Sequence, residues 1–341
     1  METEGNKEVI EKLLECVRDL ADEMGPASLE SHIEWVITSL ENLLDKKTTC
    51  QVKGGNDGMG DDEQDEEDSE PEEDEEDLDH DEIILGNTTD VIISVSKCMG
   101  ESFGPYLQRL GPKMVTYLGD EHPKSDKVMV IGCLAEVFNN CPSAIAAYFG
   151  DFMGVLIKHS TTEDGSMNRN VSYGIGIFAD KAPVELFQPH LETAMTTVKT
   201  MYAATKEDDA KDNCIACLVR ILERYRQSLP PDQYNILFEQ IMSAVPLNGD
   251  PNENETVLKF IMNVNATEPD SVKPHMERIT MMCLKLLTDP RCDSVDDVFK
   301  VITATFIKHV VMSYPEMVER LQALEAQMSA HEKAILAKYL E

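Results

Sequence analysis

Pro and Gly interrupt the apolar helical stripes of this chain at near-regular intervals, and that spacing limits the folds open to it. Apolar residues recur at three and four: Val9, Ile10, Leu13, Leu14, Val17, Leu20, Ala21 and Met24 form one stripe, and Ile33, Val36, Ile37, Leu40, Leu43 and Leu44 the next. The breaks "SLESHI", "SFGPYL", "YFGDFM", "LFQPHL", "LPPDQY", "SVKPHM" and "SYPEMV" share one layout. Their fourth residues, or the Pro at the matching place in the last, are Ser31, Pro105, Asp151, Pro189, Asp232, Pro274 and Pro315. The intervals are 74, 46, 38, 43, 42 and 41 residues. All but the first fall in the range of two-helix HEAT or armadillo repeats. No alternating run bounded by hairpin turns stands beside them. The spacing predicts an all-α, armadillo-like HEAT-repeat α-solenoid of about seven two-helix repeats, one array over residues 1–341. The alternative is a long helical bundle with coincidental proline spacing.

The first interval exceeds the others by about thirty residues, the length of a single repeat loop allowed to grow. "DDEQDEEDSEPEEDEEDLDHDE", Asp61 to Glu82, lies in that interval and carries 17 carboxylates in 22 residues with no Lys or Arg. We therefore expect residues 52–81 to be a disordered acidic insertion inside a repeat, entered through Gly54, Gly55, Gly58 and Gly60. The whole chain has a formal charge of -34, and without this run 47 acids still face 30 bases. Such a field repels nucleic acid directly and attracts basic partners.

Several classes fall away. The opening residues are charged and amphipathic, unlike a secretory signal. No apolar stretch reaches the roughly 20 residues of a membrane span. Nine irregularly spaced cysteines, mostly at apolar helical positions, point to reduced thiols and a cytosolic or nuclear setting. "CIAC", Cys214 to Cys217, has dithiol spacing but no strand before it. "YGIGIFAD" has a Gly-x-Gly fragment at a place where small residues let helices approach. His32, His190 and His275 recur at one repeat position, which packing or capping explains. The four Asn-x-Ser/Thr matches have no use without secretion. The expectation is a binding protein with no enzymatic chemistry, no metal and no cofactor.

Some segments carry a more specific likeness. "LAEVFNNCPSAIAAYFGDFMGVLI", "NRNVSYGIGIFADKAPVELFQPHLETAM", "KDNCIACLVRIL" and "AVPLNGDPNENETVLKFI" combine an Arg-Asn before a Gly-rich helix, an Asp-Asn in the next one, and a Pro-Leu-x-x-Asp turn. "LLDKKTTCQ" runs into the acidic stretch. In this order they resemble the C-terminal HEAT repeats of importin-β (karyopherin-β) nuclear transport receptors. The resemblance implies a C-terminal third of an import receptor that shuttles between cytoplasm and nucleus. Its implied cargo is basic protein of the histone or ribosomal class, with nucleoporins as further partners. It implies Ran-GTP only where N-terminal repeats are present. A HEAT scaffold subunit of a multiprotein complex and an acidic histone chaperone are the rival functions.

Candidate site residues follow from helical geometry. At 100° per residue, Trp35, the only tryptophan, falls opposite the apolar stripe with Ser31, Thr38 and Asn42, flanked by Glu34 and Glu41. An aromatic plate beside carboxylates suits a Lys or Arg side chain. Packing of Trp35 on a neighbouring repeat is the alternative. Asp61, Asp62, Glu66, Glu67, Glu72, Glu73, Glu75 and Glu76 of the acidic run are the second set of candidate cargo contacts, acting at close range because screening is strong beyond about 8 Å.

Overall fold

Two kinds of helix start recur in this chain. Side chains of Asn6, Asp164 and Asp296 accept bonds from the N–H groups of Val9, Met167 and Val298, opening three helices with an Asx cap. Each such cap is worth about 1 kcal/mol. Four other helices are entered instead through turns holding Pro26, Pro142, Pro189 or Pro274, where the missing N–H costs nothing. The computed structural model describes residues 4–51, 72–161, 163–292, 295–314 and 316–340, and among these it contains no strand.

The helices are α1 (Lys7–Met24), α2 (Ile33–Leu44), α3 (Glu72–Met99), α4 (Gly104–Thr116), α5 (Lys124–Asn140), α6 (Ile145–His159), α7 (Gly165–Lys181), α8 (Val184–Phe187), α9 (Leu191–Ala204), α10 (Asp208–Tyr225), α11 (Pro231–Ala244), α12 (Asn254–Thr267), α13 (Pro269–Val272), α14 (Met276–Thr288), α15 (Asp297–Ser313), α16 (Glu316–Gln327) and α17 (Ala330–Leu340). The short α8 and α13 lead into α9 and α14. The described residues thus form seven helix pairs, α1/α2, α3/α4, α5/α6, α7/α9, α10/α11, α12/α14 and α15/α16, followed by α17. This is the all-α HEAT-repeat solenoid class. None of the described helices is by itself long and apolar enough to cross a membrane.

The chain forms two compact units, Met1–Phe149 and Gly150–Glu341; repeats touch only their neighbours, so compactness is local. Residues 52–71 of the expected loop lie outside the described residues, but Glu72–Asp81 belong to α3. Glu is a good helix former, and carboxylates near a helix N-terminus are stabilised by the backbone dipole. Finally, Asp151 lies well inside α6, and the entry to that helix is at Pro142.

In the first unit α3 packs against both α1 and α5. Ile84, Val91, Ile92 and Val95 of α3, with Val130, Ile131 and Phe138 of α5, are buried. The second helices add Val36, Ile37 and Leu40 from α2 and Leu107, Leu110 and Met114 from α4. Past the end of α4, the Tyr117 hydroxyl donates to the Leu44 carbonyl at 2.7 Å, satisfying an acceptor at the end of α2.

The second unit is organised by a polar lock. Asp212 Oδ2 accepts from the N–H groups of Gly249 and Asp250 at 2.7 and 3.0 Å. Asn213 donates to Asp250 at 3.0 Å. The buried Asn254 accepts from the Leu247 N–H and donates to the Leu247 and Pro251 carbonyls. The Asp-Asn pair and the Pro-Leu-x-x-Asp turn noted in the sequence are therefore two halves of one hydrogen-bonded unit. Close packing completes it: a Cβ at Gly176 of α7 would lie 3.3 Å from Cys217 Cα of α10. Cys214 and Cys217 are buried there as core residues.

Burial pushes the Asp212 carboxyl up to about 6, against the lowering effect of the backbone donors. Its ionised form is thus disfavoured by folding. The stability it contributes is full below about pH 4 and is lost as pH rises through about 6. One oxygen takes both backbone bonds, so Asn can replace it. Asp212→Asn is expected to match the parent near pH 4 and to exceed it by about 2 kcal/mol above pH 7. Urea unfolding across that range checks the difference.

Candidate functional site

Residues Glu34, Thr38, Glu41 and Asp45 follow one another at spacings of four, three and four, which places them along one edge of α2. Arg109 and Lys113, one turn apart on α4, face this edge. Arg109 Nη2 and Nε bond both oxygens of Glu41 at 2.6 and 3.2 Å, and Nη1 bonds Glu34 at 2.8 Å. Thr38 Oγ1 accepts a further contact from Nη2 at 3.3 Å. Lys113 Nζ bonds Asp45 Oδ2 at 2.6 Å. The bonds to Glu41 and then Glu34 push the Arg109 guanidinium above its ordinary value. Lys113 and then Lys47 hold the Asp45 carboxyl below the usual range.

Trp35 stands beside this ladder with 53% of its surface exposed. Glu34 is largely open to solvent, whereas Glu41 is mostly covered. Asn42 is half-buried and its carbonyl accepts from the Lys47 N–H. Asp61, Asp62, Glu66 and Glu67 lie outside the described residues. Glu72, Glu73, Glu75 and Glu76 are in the opening turns of α3. The structure thus groups Trp35, Glu34 and Glu41, and fills the two carboxylates with an internal arginine that single-helix geometry did not reveal. A signal was available: Glu41 to Arg109 and Asp45 to Lys113 are both separations of 68 residues.

Within the second unit the same polarity recurs. Glu239 of α11 pairs with His275 at the entry to α14, and Glu277 of α14 pairs with Arg320 of α16. In each case the acid lies on the earlier second helix and the base at or on the later one. His32, His190 and His275 do occupy equivalent positions, preceding α2, α9 and α14, but none caps the helix through its side chain. His275 instead meets Phe238 edge-on and bonds Glu239. Among the described residues no group of three or more His, Cys, Asp or Glu side chains is arranged to hold a metal ion.

Residues 8–120, which contain the whole Glu34–Arg109 ladder, match the family model Importin repeat 6. The chain is also 22% identical over 251 residues to "Probable importin subunit beta-4" of Schizosaccharomyces pombe, an alignment covering 72% of this chain. It is 22% identical over 294 residues, 85% of this chain, to "Importin-4" of Mus musculus. The chain thus carries an importin repeat and is similar to importin-4-type proteins of the importin-β family. It spans 23% and 26% of the lengths of those two relatives, nearer a quarter than a third.

The Arg109 cluster is a partly exposed network, so its contribution is modest after allowance for solvent screening. Arg109→Met is expected to lower unfolding free energy by about 1 kcal/mol at low salt and by less than half that in about 1 M salt. Glu34→Gln, at the exposed end, should cost less than Arg109→Met. Urea unfolding at the two salt concentrations measures both.

Proposed function

We propose that this chain acts as a nuclear import receptor, or as part of one, and binds basic protein cargo on the acidic surface of its second helices. The observation that carries this is the ladder itself: α2 offers carboxylates spaced to hold a guanidinium by several bonds, beside an exposed indole. Arg109 demonstrates the chemistry from within the chain, and a cargo arginine would use the same groups plus the face of Trp35. The net charge of -34 supports recruitment of basic cargo. Similarity to importin-β-family proteins supports the transport role. Histones and ribosomal proteins are the cargo class that fits this chemistry. Shuttling between cytoplasm and nucleus and contact with nucleoporins belong to the same proposal, as does response to Ran-GTP where N-terminal repeats accompany this part. The acidic candidates Asp61 to Glu76 would widen the capture radius for cargo.

Trp35 is the sole tryptophan, so its emission reports on this one place. Titration with a Lys/Arg-rich histone-tail peptide should change that emission, with affinity falling as salt rises. Trp35→Ala, followed by peptide anisotropy, should weaken binding about fivefold without lowering the melting temperature. Arg109→Met should strengthen binding by vacating Glu34 and Glu41. Binding indifferent to Trp35→Ala, Glu34→Gln and Arg109→Met would overturn this site.

A further inference from the structure

The acidic run of the sequence ends at the wall of a cavity. Its last two carboxylates, Asp81 and Glu82 of α3, line a space of about 560 Å³ in the first unit. The other walls are Lys46, just past the end of α2, and the stretch from Tyr117 to Asp126, where α4 turns into α5. Three consecutive helix pairs thus contribute to it. Among the described residues, the carboxylates of Asp81, Glu82, Glu121 and Asp126 face it against one lysine. Asp126 is only 6% exposed, and its Oδ2 lies 3.2 Å from His122 Nδ1. The rings of His122 and Tyr117 pack with their centroids 4.7 Å apart. Since the Tyr117 hydroxyl is engaged by the Leu44 carbonyl, these rings bring carbon surface beside the acids.

The position of Lys46 indicates what the cavity accepts. This residue follows the C-cap of α2 with φ 54°, in the left-handed conformation that glycine usually supplies there. Any side chain at this place carries a backbone cost. The one present brings its ammonium to Asp81 Oδ2 at 2.7 Å. Both partners stay partly open to solvent, so the pair is readily exchanged. Among the described residues neither Glu82 nor Glu121 has an ion-pair partner.

We propose that this cavity is a receptor for a lysine side chain of a basic protein partner. The inference rests on the reading of the chain as a binder of basic cargo and adds a second site with a different preference. The acids stand on separate elements, which suits the three rotatable donors of an ammonium. A planar guanidinium fits the single edge of Glu34 and Glu41 better. Tyr117 and His122 give the methylene stem a wall to lie on. The space admits a whole lysine residue, whereas among the described residues the acids are not gathered closely enough to hold a metal ion.

His122 reports on this place. In NMR spectra of histidine-labelled chain its signal is assigned by its loss in His122→Gln. A lysine-rich peptide should shift that signal, and an arginine-rich peptide of equal charge should need about fivefold more to do so. Butylamine, the ammonium and stem alone, should act only at far higher concentration than the peptide. Lys46→Gly removes the internal cation and the backbone cost together, so it should keep the melting temperature and raise lysine-peptide affinity about threefold. Glu82→Gln with Glu121→Gln changes exposed positions and should lower that affinity about fivefold with the fold intact. A His122 signal that stays still while Trp35 emission responds to the same peptide overturns this site and leaves the basic-cargo reading standing. If neither responds, both fall. An arginine peptide or butylamine that matches the lysine peptide, or a shift indifferent to the paired Gln changes, overturns it as well.

Discussion

Each helix pair in this chain is apolar on more surface than its own two helices can cover, and stacking on the next pair is what removes that surface from water. The close approach of α7 and α10 shows how far the sequence goes to permit it. Gly176 sits where a side chain would press on the backbone of Cys217, so the Gly-x-Gly fragment serves packing and no phosphate. Burial at roughly 25 cal/mol per Å² makes such contacts the main source of stability. Everything polar in the stack is then arranged around that demand. The buried Asn254 and Asp212 satisfy the backbone of a loop that the stacking forces inward.

What the sequence revealed, and what it did not, follows the range of the interactions involved. Helix pairs and their number were legible because periodicity and prolines act within a few residues of each other. The exposure of Trp35 was legible because it depends on one helix and its apolar stripe. Arg109 and Lys113 were missed because their partners lie two helices back, with the acidic run in between. Asp151 was misplaced because an Asp two positions after an aromatic imitates a helix entry without the turn that makes one. Residues 52–81 were read as loop throughout, whereas the last ten of them, Glu72–Asp81, belong to α3. The division into two units has no marker in the sequence.

The charges separate into two populations. The bases described above are mostly committed to neighbouring repeats: Arg109 and Lys113 to α2, Arg320 to α14, and Arg220 of α10 to the largely buried Glu253 just before α12. An internal pair of this last kind derives much of its importance from the cost of leaving either partner alone. Because acids outnumber bases by 34, commitment of the bases leaves the remaining carboxylates to set the field outside. Cohesion between repeats and attraction for a basic partner thus draw on the same surplus.

The cysteines have a consequence of their own. Seven of the nine thiols are buried, and they are spread over both units. Burial pushes Cys292 up to about 11 and Cys214 up to about 12, so in the closed protein these groups are protonated as well as covered. A thiol must be both uncovered and ionised to be alkylated. The solenoid therefore carries a built-in set of clocks: the rate at which each cysteine is labelled times the opening of its own repeat, with Cys16 running unprotected from the start.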